Sequence, residues 1–134
     1  MQEKEIKVKI IHGKSAEGDI LAYPNPISFL GEVDPKRGVI LGIGREELSL
    51  RGKVLIFPNT RGSTVGSYVL YALRYYGNAP SAIVVSKAEP ILIVGAVLAD
   101  IPLAEGVDSK SIEEASKFKK AVLDAERSVL RLFP

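Results

Sequence analysis

The chain contains no cysteine, one histidine, one methionine and no tryptophan among 134 residues. Without thiolates it cannot hold an iron–sulfur cluster, and structural zinc sites usually need them too. A Ser-His-Asp triad could be built only around His12, the single histidine, which falls at the end of a strand pattern. Excess charge of one sign is also missing. With 18 Lys and Arg against 16 Asp and Glu the formal charge is only +2, which gives no field for gripping nucleic acid. No apolar run reaches the roughly 20 residues that cross a bilayer. The opening Met-Gln-Glu-Lys-Glu is too charged for a secretory signal, so the expected location is the cytoplasm. The scarcity of cysteine and methionine beside many Lys, Glu and Arg fits a protein from a hot environment.

What remains is 46% hydrophobic and 25% charged, the balance of a globular protein. At 134 residues it is expected to form one domain, residues 1–134, large enough for a core without staples. Glu5 to His12 alternates polar residues with Ile6, Val8 and Ile10, the period of a half-buried strand. A second strand is expected at Asp19 to Ala22. Residues 23–37 are rich in Pro and Gly and read as a long ordered loop that packs down on Ile27, Phe29, Leu30 and Val33. Short apolar runs at Gly38–Leu41, Val54–Phe57 and Ala82–Ser86 read as strands, and their continuous apolarity beside a helix points to parallel pairing. Pro90 after Glu89 predicts a helix through the apolar run ending at Ala99, with a strand at Ile101–Leu103. Ser111-Ile-Glu-Glu114 fits a capping box, which predicts a C-terminal helix whose face is Ile112, Ala115, Phe118, Val122, Ala125 and Val129. The sum is a mixed α/β architecture.

Residues 58–67, Pro-Asn-Thr-Arg-Gly-Ser-Thr-Val-Gly-Ser, lie between the strand Val54–Phe57 and a helical pattern that places Val65, Val69, Ala72, Leu73 and Tyr76 on one face. A strand-to-helix turn of this kind aims free N–H groups and the positive end of the helix dipole at one spot, and Gly62 and Gly66 permit close approach. A carboxylate or phosphate is the expected ligand. Two readings stand for the hydroxyls of Ser63 and Thr64: an N-cap, or a site. Arg61 is either a solvated loop charge or an anion contact, and Asp34 before Pro35 reads as a turn former. Tyr68, Tyr71, Tyr75 and Tyr76 read as core and edge packing or a partner interface, not as a nucleic-acid platform.

Beyond these local patterns, the segments Pro26-Ile-Ser-Phe29, Gly31-Glu-Val-Asp-Pro35 with Gly38, Gly52-Lys-Val-Leu55, Pro58 through Gly66, Ala79-Pro80 and Gly95 to Pro102 together resemble the small subunits of the aconitase X family. The resemblance runs through most of the chain. It implies the swivelling β/β/α fold, in which a parallel sheet is layered with an antiparallel sheet and helices. It further implies a large partner subunit that carries a 4Fe-4S cluster and much of the substrate pocket, this chain binding no cofactor or metal of its own. The implied activity is a hydro-lyase, active only with the large subunit. The implied reaction converts mevalonate 5-phosphate to trans-anhydromevalonate 5-phosphate for isoprenoid synthesis, with a hydroxyproline dehydratase as the alternative within the family. In that family the serine of the Arg-Gly-Ser motif accepts the proton, and Ser63 is the matching residue. Arg61, Gly62 and Thr64 would hold a substrate anion, and the long loop would add Ser28 and Asp34. Many family chains have two glycines before Val-Asp-Pro where this one has Gly31-Glu32, and Ser-Ser where it has Ser63-Thr64. The first departure bears on backbone contacts that glycine would allow at position 32; the second keeps a hydroxyl. A stand-alone anion-binding or phosphohistidine-carrier module is the rival of another class, and it would need a histidine in the glycine-rich loop.

Overall fold

A computed structural model describes residues 2–42, 46–62 and 66–134. Eleven strands and four helices follow one another among these residues. β1 (Lys4–Lys7) and β2 (Lys9–His12) divide the first predicted strand, and β3 spans Ala16–Ala22. The loop expected over 23–37 contains α1 (Phe29–Glu32) and β4 (Val33–Asp34), followed by β5 (Val39–Leu41), β6 (Glu47–Ser49) and β7 (Val54–Phe57). Then come α2 (Gly66–Tyr75), β8 (Ala82–Val85), α3 (Pro90–Ala99), β9 (Leu103–Glu105), α4 (Ser109–Ala115), β10 (Lys120–Asp124) and β11 (Val129–Phe133).

Eight strands join in the order β1-β11-β10-β3-β7-β8-β9-β2. β3 is the hinge between two kinds of pairing. Its first half, Ala16–Asp19, pairs antiparallel with β10, and Ile20–Ala22 pairs parallel with β7. β7, β8 and β9 continue in parallel. β4, β5 and β6 form a separate three-stranded antiparallel sheet. This mixture is the swivelling β/β/α arrangement.

Parallel strands covered on both faces must be apolar at every position, and β7 shows why. All four of its residues are fully buried. Leu55 and Phe57 face one core, shared with Leu70, Leu73, Leu92 and Ala96 of α2 and α3. Val54 and Ile56 face the other, which includes Ile112 and Ala115 of α4 with Leu123 and Leu130 of the antiparallel strands. The antiparallel strands therefore fold across one face of the parallel sheet while α2 and α3 cover the other. α2 and α3 approach closely at Gly95, where an added Cβ would lie 2.4 Å from Leu70 Cδ1 and 3.1 Å from Ser67 Cα.

Pro90 does occupy the first turn of α3, with Glu89 at the N-cap. The C-terminal helix is a correction. α4 ends at Ala115, and residues 120–133 form a β-hairpin in which Leu123 pairs with Leu130 and Ala121 with Leu132. Its cap is also different: Asp108, not Ser111, caps α4, and its carboxylate accepts from Ser111 N–H at 2.7 Å. That bond is the main cause holding the Asp108 carboxyl below its usual range. A depressed carboxyl stabilises the fold above the ordinary carboxylate range and loses that contribution as pH falls through it. Asp108→Ala is accordingly expected to lower the thermal midpoint at neutral pH, the gap from wild type closing on acidification, while Asp108→Asn keeps the cap with a weaker pH dependence. Melting curves across the acid range check this.

Candidate active site

The loop after β7 is fastened at three points before it reaches the serine. Ile27 and Thr60 form a parallel bridge, in which Ile27 N–H donates to Asn59 O at 3.1 Å and Arg61 N–H to Ile27 O at 3.0 Å. Ser86 N–H donates to Pro58 O at 2.9 Å, tying the loop to the end of β8. Thr60 is buried, and its hydroxyl donates to Glu89 Oε1 at 3.2 Å. The backbone is thus fixed by its neighbours through Arg61.

Of the residues expected to act, Ser63 and Thr64, together with Val65 of the predicted helix face, lie outside the described residues. Arg61, Gly62 and Ser28 are brought together. Gly62 has φ +92°, and a Cβ there would sit 2.9 Å from Ser28 Oγ. Ser28 is the N-cap of α1; its hydroxyl accepts weakly from Gly31 N–H at 3.4 Å, and its own N–H donates to Glu32 Oε1 at 2.8 Å. The same Glu32 oxygen accepts from Arg61 Nη2 at 2.7 Å. Asp34 is used as a turn former, accepting from Lys36 N–H at 3.1 Å and Arg37 N–H at 3.3 Å. Glu32 lies in α1 without positive φ, so its backbone makes no demand for glycine.

Three residues of the neighbourhood escaped the sequence reading as site groups. Glu32 and Glu89 flank Arg61 and Thr60 with carboxylates. Tyr23, buried just after β3, is the third. Burial first and the Glu32 carboxylate second push its phenol above the ordinary range, while the Arg61 cation pulls it down. Nothing in the sequence ties Tyr23 or Glu32 to residue 61; only the fold does.

A cleft of about 300 Å³ opens between Thr60, Arg61, Gly62, Glu89, Pro90 and Ile91. A larger one, about 400 Å³, is lined by Ala22, Pro24, Pro58, Ser109, Ile112, Glu113 and Ser116. It is mostly apolar and has no cation in its lining, so the smaller cleft is the better place for an anionic substrate. His12 is elsewhere. Its Nε2 lies 3.1 Å from Asp100 Oδ1, just past the C-terminal end of α3, whereas Glu89 and Thr60 meet at the N-terminal end. Ten helical residues separate them by about 15 Å, which leaves a phosphohistidine carrier without its histidine in the loop.

Tyr68, Tyr71, Tyr75 and Tyr76 are all exposed, which corrects the core-packing reading of the tyrosines and removes Tyr76 from the predicted face of α2; Val69 and Leu73 of that face are buried, and Leu70 joins them. No helix among the described residues is long and apolar enough to cross a membrane.

Comparisons with known proteins bear on the family and the fold. The aconitase X swivel domain model matches residues 5–132, and the chain belongs to that family. It is 46% identical over 130 residues to the phosphomevalonate dehydratase small subunit of Methanothrix thermoacetophila, covering 96% of this chain and 94% of the relative. It is 44% identical over 117 residues to the protein of that name from Pyrococcus abyssi, covering 86% and 90%. Among solved structures, the crystal structure of Thermococcus kodakaraensis aconitase X in its holo-form matches with a TM-score of 0.85 and 40% identity, covering 98% of this chain and 99% of that one.

Proposed function

We propose that this chain is the small subunit of a phosphomevalonate dehydratase, a hydro-lyase that removes water from mevalonate 5-phosphate to give trans-anhydromevalonate 5-phosphate. The observation that carries the reading is the near full-length identity to small subunits of that name. A small subunit implies a large one. The site chemistry agrees, because the cleft around Arg61 has carboxylates on either side and is a poor holder of a doubly charged phosphate by itself. Closure against a second protein would supply the missing cations and exclude water, strengthening every interaction inside.

With no cysteine and one histidine, the chain offers no ligand set for an iron–sulfur cluster, and no metal-holding cluster of side chains occurs among the described residues. The 4Fe-4S cluster that the family resemblance implies is assigned to the large subunit. This chain's share of the chemistry is the proton. Ser63 takes it from the carbon next to the substrate carboxylate, and the proton and the departing β-hydroxide together make up the water lost. A serine oxygen is a poor base unless its negative charge is stabilised, so the N–H groups of the loop and the Arg61 cation carry that burden. Gly62 and Thr64 hold a substrate anion alongside Arg61, while Ser28 supports Gly62 and Asp34 shapes the loop behind.

Anaerobic co-expression with a cysteine-containing large-subunit candidate, followed by assay of the co-purified protein on mevalonate 5-phosphate and on hydroxyproline, tests the assignment. Turnover of the first is expected. Turnover of hydroxyproline alone would replace the substrate, and failure to form any complex would overturn the subunit reading.

A further inference from the structure

The ion pair between Glu32 and Arg61 is built from both ends. Glu32 has only 20% of its side chain exposed and its Oε1 is held at 2.8 Å by Ser28 N–H, so the carboxylate cannot wander. Arg61 is anchored through its backbone to Ile27, yet 58% of its side chain is exposed. The described contact engages Nη2. A guanidinium has five N–H donors in a rigid fork, so fixing one corner sets the direction of the others. Arg61 lines the cleft with Thr60 and Ile91, and more than half of its side chain is open to solvent.

We infer that Glu32 is a positioning residue: it holds the Arg61 guanidinium in the orientation that meets the substrate anion. The inference rests on the reading of Arg61 as an anion contact. Two effects of Glu32 oppose each other. Its negative charge repels an anion, but the Arg61 cation 2.7 Å away offsets most of that charge. Releasing a long side chain that must be immobilised again on binding weakens affinity by roughly three- to tenfold. Orientation is therefore the larger effect.

Kinetics of the two-subunit enzyme on mevalonate 5-phosphate separate the possibilities. Glu32→Ala is expected to raise KM roughly tenfold with kcat changed less than about twofold. Glu32→Gln, which keeps an acceptor oxygen and removes the charge, is expected to stay within about threefold of wild type. In an Arg61→Ala background, Glu32→Ala is expected to be silent, because its only route to the substrate has gone. An unchanged or lowered KM in Glu32→Ala, or an undiminished effect in the double variant, overturns the inference. A readout without turnover is the NMR of the arginine side chains of this chain, isotopically labelled within the two-subunit complex, with Arg61 assigned by its loss in Arg61→Lys. The Arg61 Nη signals should be separate in wild type and averaged in Glu32→Ala; averaging in wild type overturns the inference. Separate signals combined with an unchanged KM in Arg61→Ala would instead remove the substrate reading of Arg61 and leave the lock standing.

Discussion

Replacing Ser63 by Ala is expected to lower kcat of the two-subunit enzyme about a thousandfold, the middle of the range for removing a positioned acid or base. The argument is chemical. Elimination needs a group that accepts the proton beside the carboxylate, and the proposed function gives that part to Ser63. The loop that leads toward it is pinned through Arg61 by Ile27, Ser86 and Glu89. Substrate affinity should change little, because Arg61 and the partner's groups remain. A fall in kcat without a matching rise in KM is the signature of an interaction made in the transition state. Solvent-deuterium exchange at the substrate carbon should fall with turnover, since both begin with the same proton. Full activity in Ser63→Ala would remove the serine from the chemistry while leaving the subunit assignment intact.

How far the sequence goes is set by whether neighbours in space are neighbours in the chain. β7 and β8 were legible because burial on both faces leaves an unbroken apolar run, and α3 because Pro90 marks its first turn. The C-terminal hairpin carries a pattern that misleads for a specific reason. Ile112, Ala115, Phe118, Val122, Ala125 and Val129 fall near helical spacing, while the competing period of two, Ala121 with Leu123 and Leu130 with Leu132, is the one that faces the core. Three-residue strands such as β6 are too short to show a period at all. At the site, the Arg-Gly-Ser turn announces itself through its local chemistry. The contacts of Ser28 with Gly62 and of Glu32 with Arg61 do not, because they exist only once the Ile27–Thr60 bridge lays one loop beside the other. In the sequence Glu89 is only the residue before a helix. Its carboxylate makes no cap bond and reaches Thr60 instead.

Phe57→Ala should cost about 4 kcal/mol of folding stability, the middle of the range for removing a buried phenylalanine. Phe57 is the last residue of β7 and is fully buried; its ring meets Phe29 edge-on at 5.9 Å and 66°. Phe29, in turn, is the first residue of α1 and is 3% exposed. Truncation leaves a void directly beneath the short helix that carries Ser28 and Glu32. A helix of four residues has no stability of its own and stays in place through such packing. The loss should therefore appear twice: as a lower urea midpoint at unchanged slope, and as a raised KM through the slackened Glu32–Arg61 pair. Since whole domains are stable by about 5–15 kcal/mol, the variant should remain mostly folded at room temperature and assayable. Phe57→Leu fills most of the void and should recover most of both losses. A variant that loses stability with KM unchanged would show that α1 keeps its place without the Phe29–Phe57 contact, and that the site's geometry is set by the loop's hydrogen bonds alone.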